Sequence, residues 1–185
     1  MQQKLQLRDN YMCQLTLVDN DIKDLNFEVD ENETLKLDFA MFSDFKSAII
    51  NVNVKKGGTF QGAFADFSRG SGRFEINVNL NEGSTCFWHL ASLNKKDYRK
   101  VFSTSCFHLG KSSSSLMSNY GICQDKSSLT FTGTSSIEKY ATKAKTRQEA
   151  KIIVFDENAD GKCSPVLKID ENDVDASHGA TVGKL

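Results

Sequence analysis

The 185-residue chain has one proline, one tryptophan and no apolar run of membrane-spanning length. A span needs about 20 consecutive apolar residues, so no segment reads as a transmembrane helix. The charged opening, Met1-Gln2-Gln3-Lys4-Leu5-Gln6-Leu7-Arg8-Asp9, lacks the apolar stretch of a secretory signal. The expectation is a soluble, cytoplasmic protein. Neither sign of charge dominates, with 23 Lys and Arg against 24 Asp and Glu. At a net charge of −1 and a pI near 6.3, no global basic field exists to hold nucleic acid or an anionic membrane. Short basic runs such as Lys95-Lys96 and Lys143-Ala144-Lys145-Thr146-Arg147 read as solvated surface. The five cysteines (Cys13, Cys86, Cys106, Cys123, Cys163) are odd in number, scattered and never spaced as CxxC. That pattern fits reduced thiols better than a disulfide framework. A metal site would have to gather cysteines distant in sequence, and the commoner fate of each is a small buried apolar residue.

Catalytic motifs are missing too. Gly110-Lys111-Ser112 resembles the end of a phosphate-binding loop, but the residue five before Gly110 is Ser105, not the glycine that loop requires. The Ser112-Ser113-Ser114-Ser115 run reads as a polar turn or a hydroxyl ladder between stacked coils. Asp156-Glu157-Asn158-Ala159-Asp160-Gly161 matches the first half of a calcium loop, yet position twelve is Leu167 where a bidentate glutamate belongs, and Pro165 falls inside. It reads as a turn between strands. No GxSxG elbow surrounds any serine, and His89, His108 and His178 have no base or orienting partner identifiable from the sequence. The chain is expected not to be an enzyme and to hold no cofactor by itself.

What is present is strict alternation. Phe74, Ile76, Val78 and Leu80 interleave with Arg73, Glu75, Asn77, Asn79 and Asn81, as a strand with one buried face requires. Leu35-Lys36-Leu37-Asp38-Phe39 and Val52-Asn53-Val54 read the same way; Leu129-Thr130-Phe131, Lys151-Ile152-Ile153-Val154-Phe155 and Val166-Leu167-Lys168-Ile169 read as further strands. Ile137 to Lys151 lacks a continuous apolar stripe at helical spacing and reads as loop or a short turn of helix. Asn51-Val52-Asn53-Val54 recurs as Asn77-Val78-Asn79-Leu80, and Gly57 and Thr59 recur as Gly83 and Thr85, all at an offset of 26; Gly110 follows Gly83 by 27. A period in this range, with one strand-turn-strand unit per repeat, is the mark of a solenoid. An antiparallel sandwich would need frequent tight hairpin signals, and only Asp160-Gly161 is of that type. The fold predicted is an all-β parallel β-helix forming one domain over 1–185, with Pro165 at the start of a strand, where its missing N–H costs least.

The run Asp173-Val174-Asp175-Ala176-Ser177-His178-Gly179-Ala180-Thr181-Val182-Gly183 resembles the closing β-helix motif of the SufB/SufD family of iron-sulfur cluster assembly proteins. Ser164-Pro165-Val166-Leu167-Lys168-Ile169 resembles the strand leading into that motif, Phe131-Thr132-Gly133 an F-x-G strand, and Arg147-Gln148 a glutamine turn of the same family. Gly179 after His178 is the SufD-like feature, SufB-like chains carrying glutamate after a histidine. The resemblance implies a right-handed parallel β-helix acting as a non-catalytic scaffold that pairs with a SufB-like subunit and engages a SufC-like ATPase. A transient iron-sulfur cluster belongs to the assembled complex rather than to this chain. By resemblance, His178 matches an interface histidine implicated in cluster formation or iron handling; Ala176 stands where a cysteine often precedes it.

Parity supplies a competing reading for His178, because Val174, Ala176, His178, Ala180 and Val182 share one face and the imidazole could simply be packed inward. Family members also carry an N-terminal helical region and C-terminal helices that dock the ATPase, so 1–185 resembles the β-helical core without them, and tight ATPase binding is not expected of it. A homodimer through the strand around Val174 to Val182 is the expected state in isolation. The alternatives are a β-helical interaction module with no part in cluster chemistry and, from a different class, a carbohydrate-active β-helix, which the absence of a secretory signal disfavours.

Overall fold

Side chains alternate inward and outward along nearly the whole chain, and the chain accordingly forms strands. The computed structural model describes residues 6–9 and 12–185; Met1 to Leu5, half of the charged opening, lie outside them. The strands are β1 (Gln6–Asp9), β2 (Met12–Val18), β3 (Leu25–Val29), β4 (Thr34–Met41), β5 (Ala48–Val54), β6 (Thr59–Asp66) and β7 (Gly72–Leu80), then β8 (Thr85–Asn94), β9 (Arg99–His108), β10 (Ser114–Cys123), β11 (Ser128–Ile137), β12 (Lys145–Val154), β13 (Asp160–Ile169) and β14 (Asp175–Lys184). β1 and the even-numbered strands make an eight-stranded sheet, β1-β2-β4-β6-β8-β10-β12-β14, and the odd-numbered strands from β3 to β13 make a six-stranded one. β1 pairs antiparallel with β2; every later pairing is parallel. The chain thus winds between two facing sheets as a β-solenoid of about six turns. Among the described residues no helix is long and apolar enough to cross a membrane.

The repeat read from the sequence is a physical stack. Asn51 pairs with Asn77 and Val52 with Val78 in the β5–β7 register, and Thr59 pairs with Thr85 between β6 and β8. The amide of Asn77 donates to Asn51 at 3.2 Å and that of Asn51 to Asn26 at 3.0 Å, so each asparagine caps the one in the preceding coil. The third copy does not fall on Gly110. Coil length grows along the axis: Thr34, Thr59, Thr85, Ser114, Lys145 and Asp175 lie in register at steps of 25, 26, 29, 31 and 30 residues. The left-handed turn position is therefore filled by Asn32, Gly57, Gly83, Ser112 and Lys143 in successive coils. Each donates its backbone N–H to a carbonyl of the next turn: Lys56, Glu82, Lys111, Thr142 and Asp173.

Gly110 has a different task. A Cβ at this position would collide with the backbone of Glu82 and lie 2.6 Å from the carbonyl carbon of Asn81. Backbone cannot yield as a side-chain tip does, so Gly110→Ala is expected to cost about 2 kcal/mol. Urea unfolding of the variant, read as a fall in midpoint at unchanged slope, checks this. A loss below a few tenths of a kcal/mol would mean that the turn relaxes.

Two further expectations need correction. Lys145 to Val154 is a full strand, β12, not loop or helical turn; its inward residues Thr146, Gln148 and Ala150 are too polar or too small to show the apolar alternation that marks other strands. Pro165 lies in the middle of β13 rather than at its start, paired with Gly133. An edge strand tolerates it there, because one side of β13 has no ladder to donate to. The calcium-like Asp156–Ala159 segment is the β12–β13 turn, with Asp156 accepting the backbone N–H of Asp125 at 2.6 Å.

The interior changes character along the axis. Phe39, Phe64, Phe74, Trp88, Phe102 and Phe131 are buried and meet ring to ring, with Phe64 and Phe74 only 4.7 Å apart between centroids. Tilted and edge-on contacts of this kind fill the early coils with hydrocarbon. Beyond them the facing inward columns turn polar: Phe60-Cys86-Ser115-Thr146-Ala176 on the eight-stranded sheet and Val78-Cys106-Ser135-Leu167 on the six-stranded one.

Candidate functional site

Parity along β9 sends Lys100, Phe102, Thr104, Cys106 and His108 inward, and all five are buried. His108, fully enclosed, meets the Ser112–Ser115 turn that stacks beneath it. Its Nδ1 lies 2.9 Å from Ser113 Oγ and its Nε2 2.9 Å from Ser115 Oγ. Ser113 spends its own hydroxyl proton on the carbonyl of Gly110 at 2.8 Å, so Nδ1 carries the imidazole proton and donates it to Ser113. Burial pushes the His108 pKa down to about 4, so the ring is neutral near pH 7 and its bare Nε2 accepts from Ser115. The remaining protons then follow in one direction. Ser115 accepts from Thr146 at 2.8 Å, Thr146 from Ser135 at 2.7 Å, and Ser135 from the amide of Gln148 at 2.8 Å. Gln148 also donates to the carbonyl of Val166 at 2.9 Å, which ties the chain to edge strand β13. Its buried Oε1 has no protein partner and lies against the bare Cα of Gly133.

His108 therefore has the partners that could not be identified from the sequence. The signal was present only as parity: Ser115, Ser135 and Thr146 fall on columns that in earlier coils hold Cys86 and Phe60 or Cys106 and Val78, while Ser113 follows the buried turn serine Ser84.

A second buried polar group sits near the opposite turn. Lys100 and Asp66 are both wholly enclosed, with Nζ 2.9 Å from Asp66 Oδ2. Lys100 Nζ also donates to Ser68 O at 2.8 Å and Ser68 Oγ at 3.0 Å, while Ser68 and Ser92 hydroxyls donate to the Asp66 carboxylate at 2.5 and 2.6 Å. Burial lowers the Lys100 pKa and the Asp66 charge opposes that shift. Every charge is matched, and the ring of Phe45 lies 5.3 Å from the ammonium.

The last coil exposes this interior. β14 and β13 each form one edge of their sheets, opposite β1 and β3, and β14 continues the inward columns: His178 pairs with Gln148, Ala180 with Ala150 and Val182 with Ile152. Val174 and Ala176 are half-buried and pack against Ile137, Ala141 and Ala144. His178, Ala180 and Val182 are exposed, as is Ile169 at the end of β13. His178 thus keeps the inward orientation that parity predicts without being covered. His89 is separate, on the outer face of β8 beside a shallow groove that includes Lys36, Asp38 and Phe87. None of the five cysteines is in a disulfide; Cys86, Cys106 and Cys123 are buried, Cys13 and Cys163 half-buried. Among the described residues no three His, Cys, Asp or Glu side chains converge as a metal-binding group.

The geometry defines a class of fold, a two-sheet parallel β-solenoid with a polar internal spine. Residues 37–185 match the model of the SufBD core domain of the SUF system for iron-sulfur cluster assembly. The chain belongs to that family. Among curated proteins it is similar to the iron-sulfur cluster assembly protein SufD of Bacillus subtilis (strain 168), at 39% identity over 84 residues. That alignment covers 45% of this chain and 19% of the relative.

Proposed function

We propose that the chain is a non-catalytic, SufD-like scaffold element of a Suf-type iron-sulfur cluster assembly complex. Membership of the SufBD core family over 37–185 is the observation that carries this reading. A SufB-like subunit docks on the uncovered coil formed by β13 and β14, and a SufC-like ATPase drives the complex through parts of the assembly outside this β-helix. The cluster is cargo. Within this chain His178 is the group that faces it, a single imidazole with Ala176 two positions earlier in place of a thiol. One neutral nitrogen can hold iron transiently, but the remaining ligands come from the partner. A homodimer through the same coil is the second reading, favoured by the exposed Ile169 and Val182, which a second copy would cover.

Anaerobic mixing with a SufB-type subunit, iron and sulfide tests the scaffold reading. The chain alone is expected to stay colourless, and the mixture to co-elute and develop a cluster chromophore. Ala180→Glu, which places a charge on the uncovered face, is expected to abolish co-elution. A stable, stoichiometric chromophore on the isolated chain would sink the proposal. So would undiminished co-elution of the Ala180→Glu variant, which would place the contact elsewhere. Light scattering of the isolated chain decides the homodimer, since only that reading expects a dimer that the same substitution dissociates.

A further inference from the structure

Cys86 and Cys106 face one another from opposite sheets inside a single coil. Cys86 lies on β8 between Phe60 and Ser115, and Cys106 on β9 between Val78 and Ser135. Their Sγ atoms are 3.7 Å apart, with the Cys106 thiol donating to Cys86, and both side chains are wholly buried. Cys123 is engaged differently, donating to the carbonyl of Asp160 at 3.3 Å. The facing pair also stands where the interior passes from aromatic rings to hydroxyls, the neighbouring column positions being Phe60 on one side and Ser115 on the other.

From this geometry we infer that Cys86 and Cys106 are a modification site, which closes to a cross-sheet disulfide when the chain folds in the presence of a low-molecular-weight disulfide and is sealed from it afterwards. An S–S bond is about 2.05 Å long, so each sulfur needs to move by less than about 1 Å, within reach of a small side-chain rotation. In the folded chain the two thiols are each other's nearest reactive partner, but no bulky oxidant can reach them. The mutual hydrogen bond and burial also hold the Cys86 thiol well above its ordinary pKa, which keeps the thiolate scarce in the folded protein. During folding the same sulfurs are open to solvent. One thiolate then attacks glutathione disulfide and expels one glutathione thiolate; the second attacks the protein sulfur of the mixed disulfide and expels the other. The two protein sulfurs lose two electrons, glutathione disulfide gains them, and the two protons released by the cysteines are taken up by the two glutathione thiolates. The product pins β8 to β9 through the core, so the redox conditions at folding are recorded in a bond that the folded structure then protects.

The full chain refolded from urea in buffer containing glutathione disulfide is the test, beside native reduced chain held in the same buffer. Refolded protein is expected to weigh two hydrogens less, to carry a Cys86–Cys106 linked tryptic peptide, and to show a raised urea midpoint that is lost when the bond is reduced. Native protein is expected to keep both thiols over the same period. The variant with Cys13, Cys123 and Cys163 replaced by serine leaves only this pair and is expected to give the same linked peptide. Refolded protein with Cys86 and Cys106 still reduced, left as glutathione adducts, or linked to other cysteines would overturn the inference. Equally fast closure in the native chain would overturn the sealing.

Discussion

Asp66→Ala is expected to remove about 3–5 kcal/mol of stability, the cost of leaving a buried ammonium without its counter-charge. Lys100 and Asp66 have no solvent exposure, so neither water nor salt can replace the lost carboxylate. The Ser68 and Ser92 hydroxyls also lose the acceptor they now share. The pair itself contributes far less than its breakage costs, because desolvating two charges offsets most of their attraction. Replacing both, as Asp66→Leu with Lys100→Met, is therefore expected to recover most of the loss. Urea titrations of the wild type, the single variant and the double variant form the comparison. A single-variant loss under about 1 kcal/mol would mean that Lys100 finds another route to water.

The second large effect is a dependence on pH centred on His108. Its folded pKa of about 4 lies below the ordinary histidine value of 6.5, so the folded state binds fewer protons than the unfolded one. Its contribution is intact above pH 6.5 and is lost as pH falls toward the folded value. A shift of this size corresponds to about 3 kcal/mol between pH 7 and pH 4. Acid also protonates carboxylates, so the comparison needs a variant that changes only the imidazole. His108→Gln isolates the imidazole: its amide can take up part of the hydrogen bonding to Ser113 and Ser115 but does not titrate. Urea midpoints at pH 7 and pH 4 are expected to fall further in the wild type than in His108→Gln. Equal falls would remove His108 from the acid response.

The fold was legible wherever the buried face is hydrocarbon. Phe74, Ile76, Val78 and Leu80 declare β7 by alternation alone, and Asn51 and Asn77 disclose the winding because β5 and β7 are neighbours with coils of nearly equal length. The later coils hid themselves for two physical reasons. Their turns are longer, so the left-handed position moves to Ser112, away from Gly110; and their inward positions are Ser115, Thr146 and Gln148, which no hydrophobic pattern marks. The same ambiguity concealed the partners of His108, since a serine on an inward parity reads the same as one on a surface. Asp66 and Lys100 were decipherable in principle: both fall in phase with buried phenylalanines, at Phe64 and Phe102, where a charge has to find an opposite one. His178 is in register with the inward Gln148, but the inward packing that parity suggested does not occur, because exposure at a sheet edge is something spacing does not encode.

The lengthening coils give the solenoid a taper. β2 and β3 have 7 and 5 residues, whereas β13 and β14 have 10 each. The taper also places the polar spine of Ser115, Ser135 and Thr146 in the broad coils, where strands of 10 residues enclose more interior than the 7- and 5-residue strands at the other end.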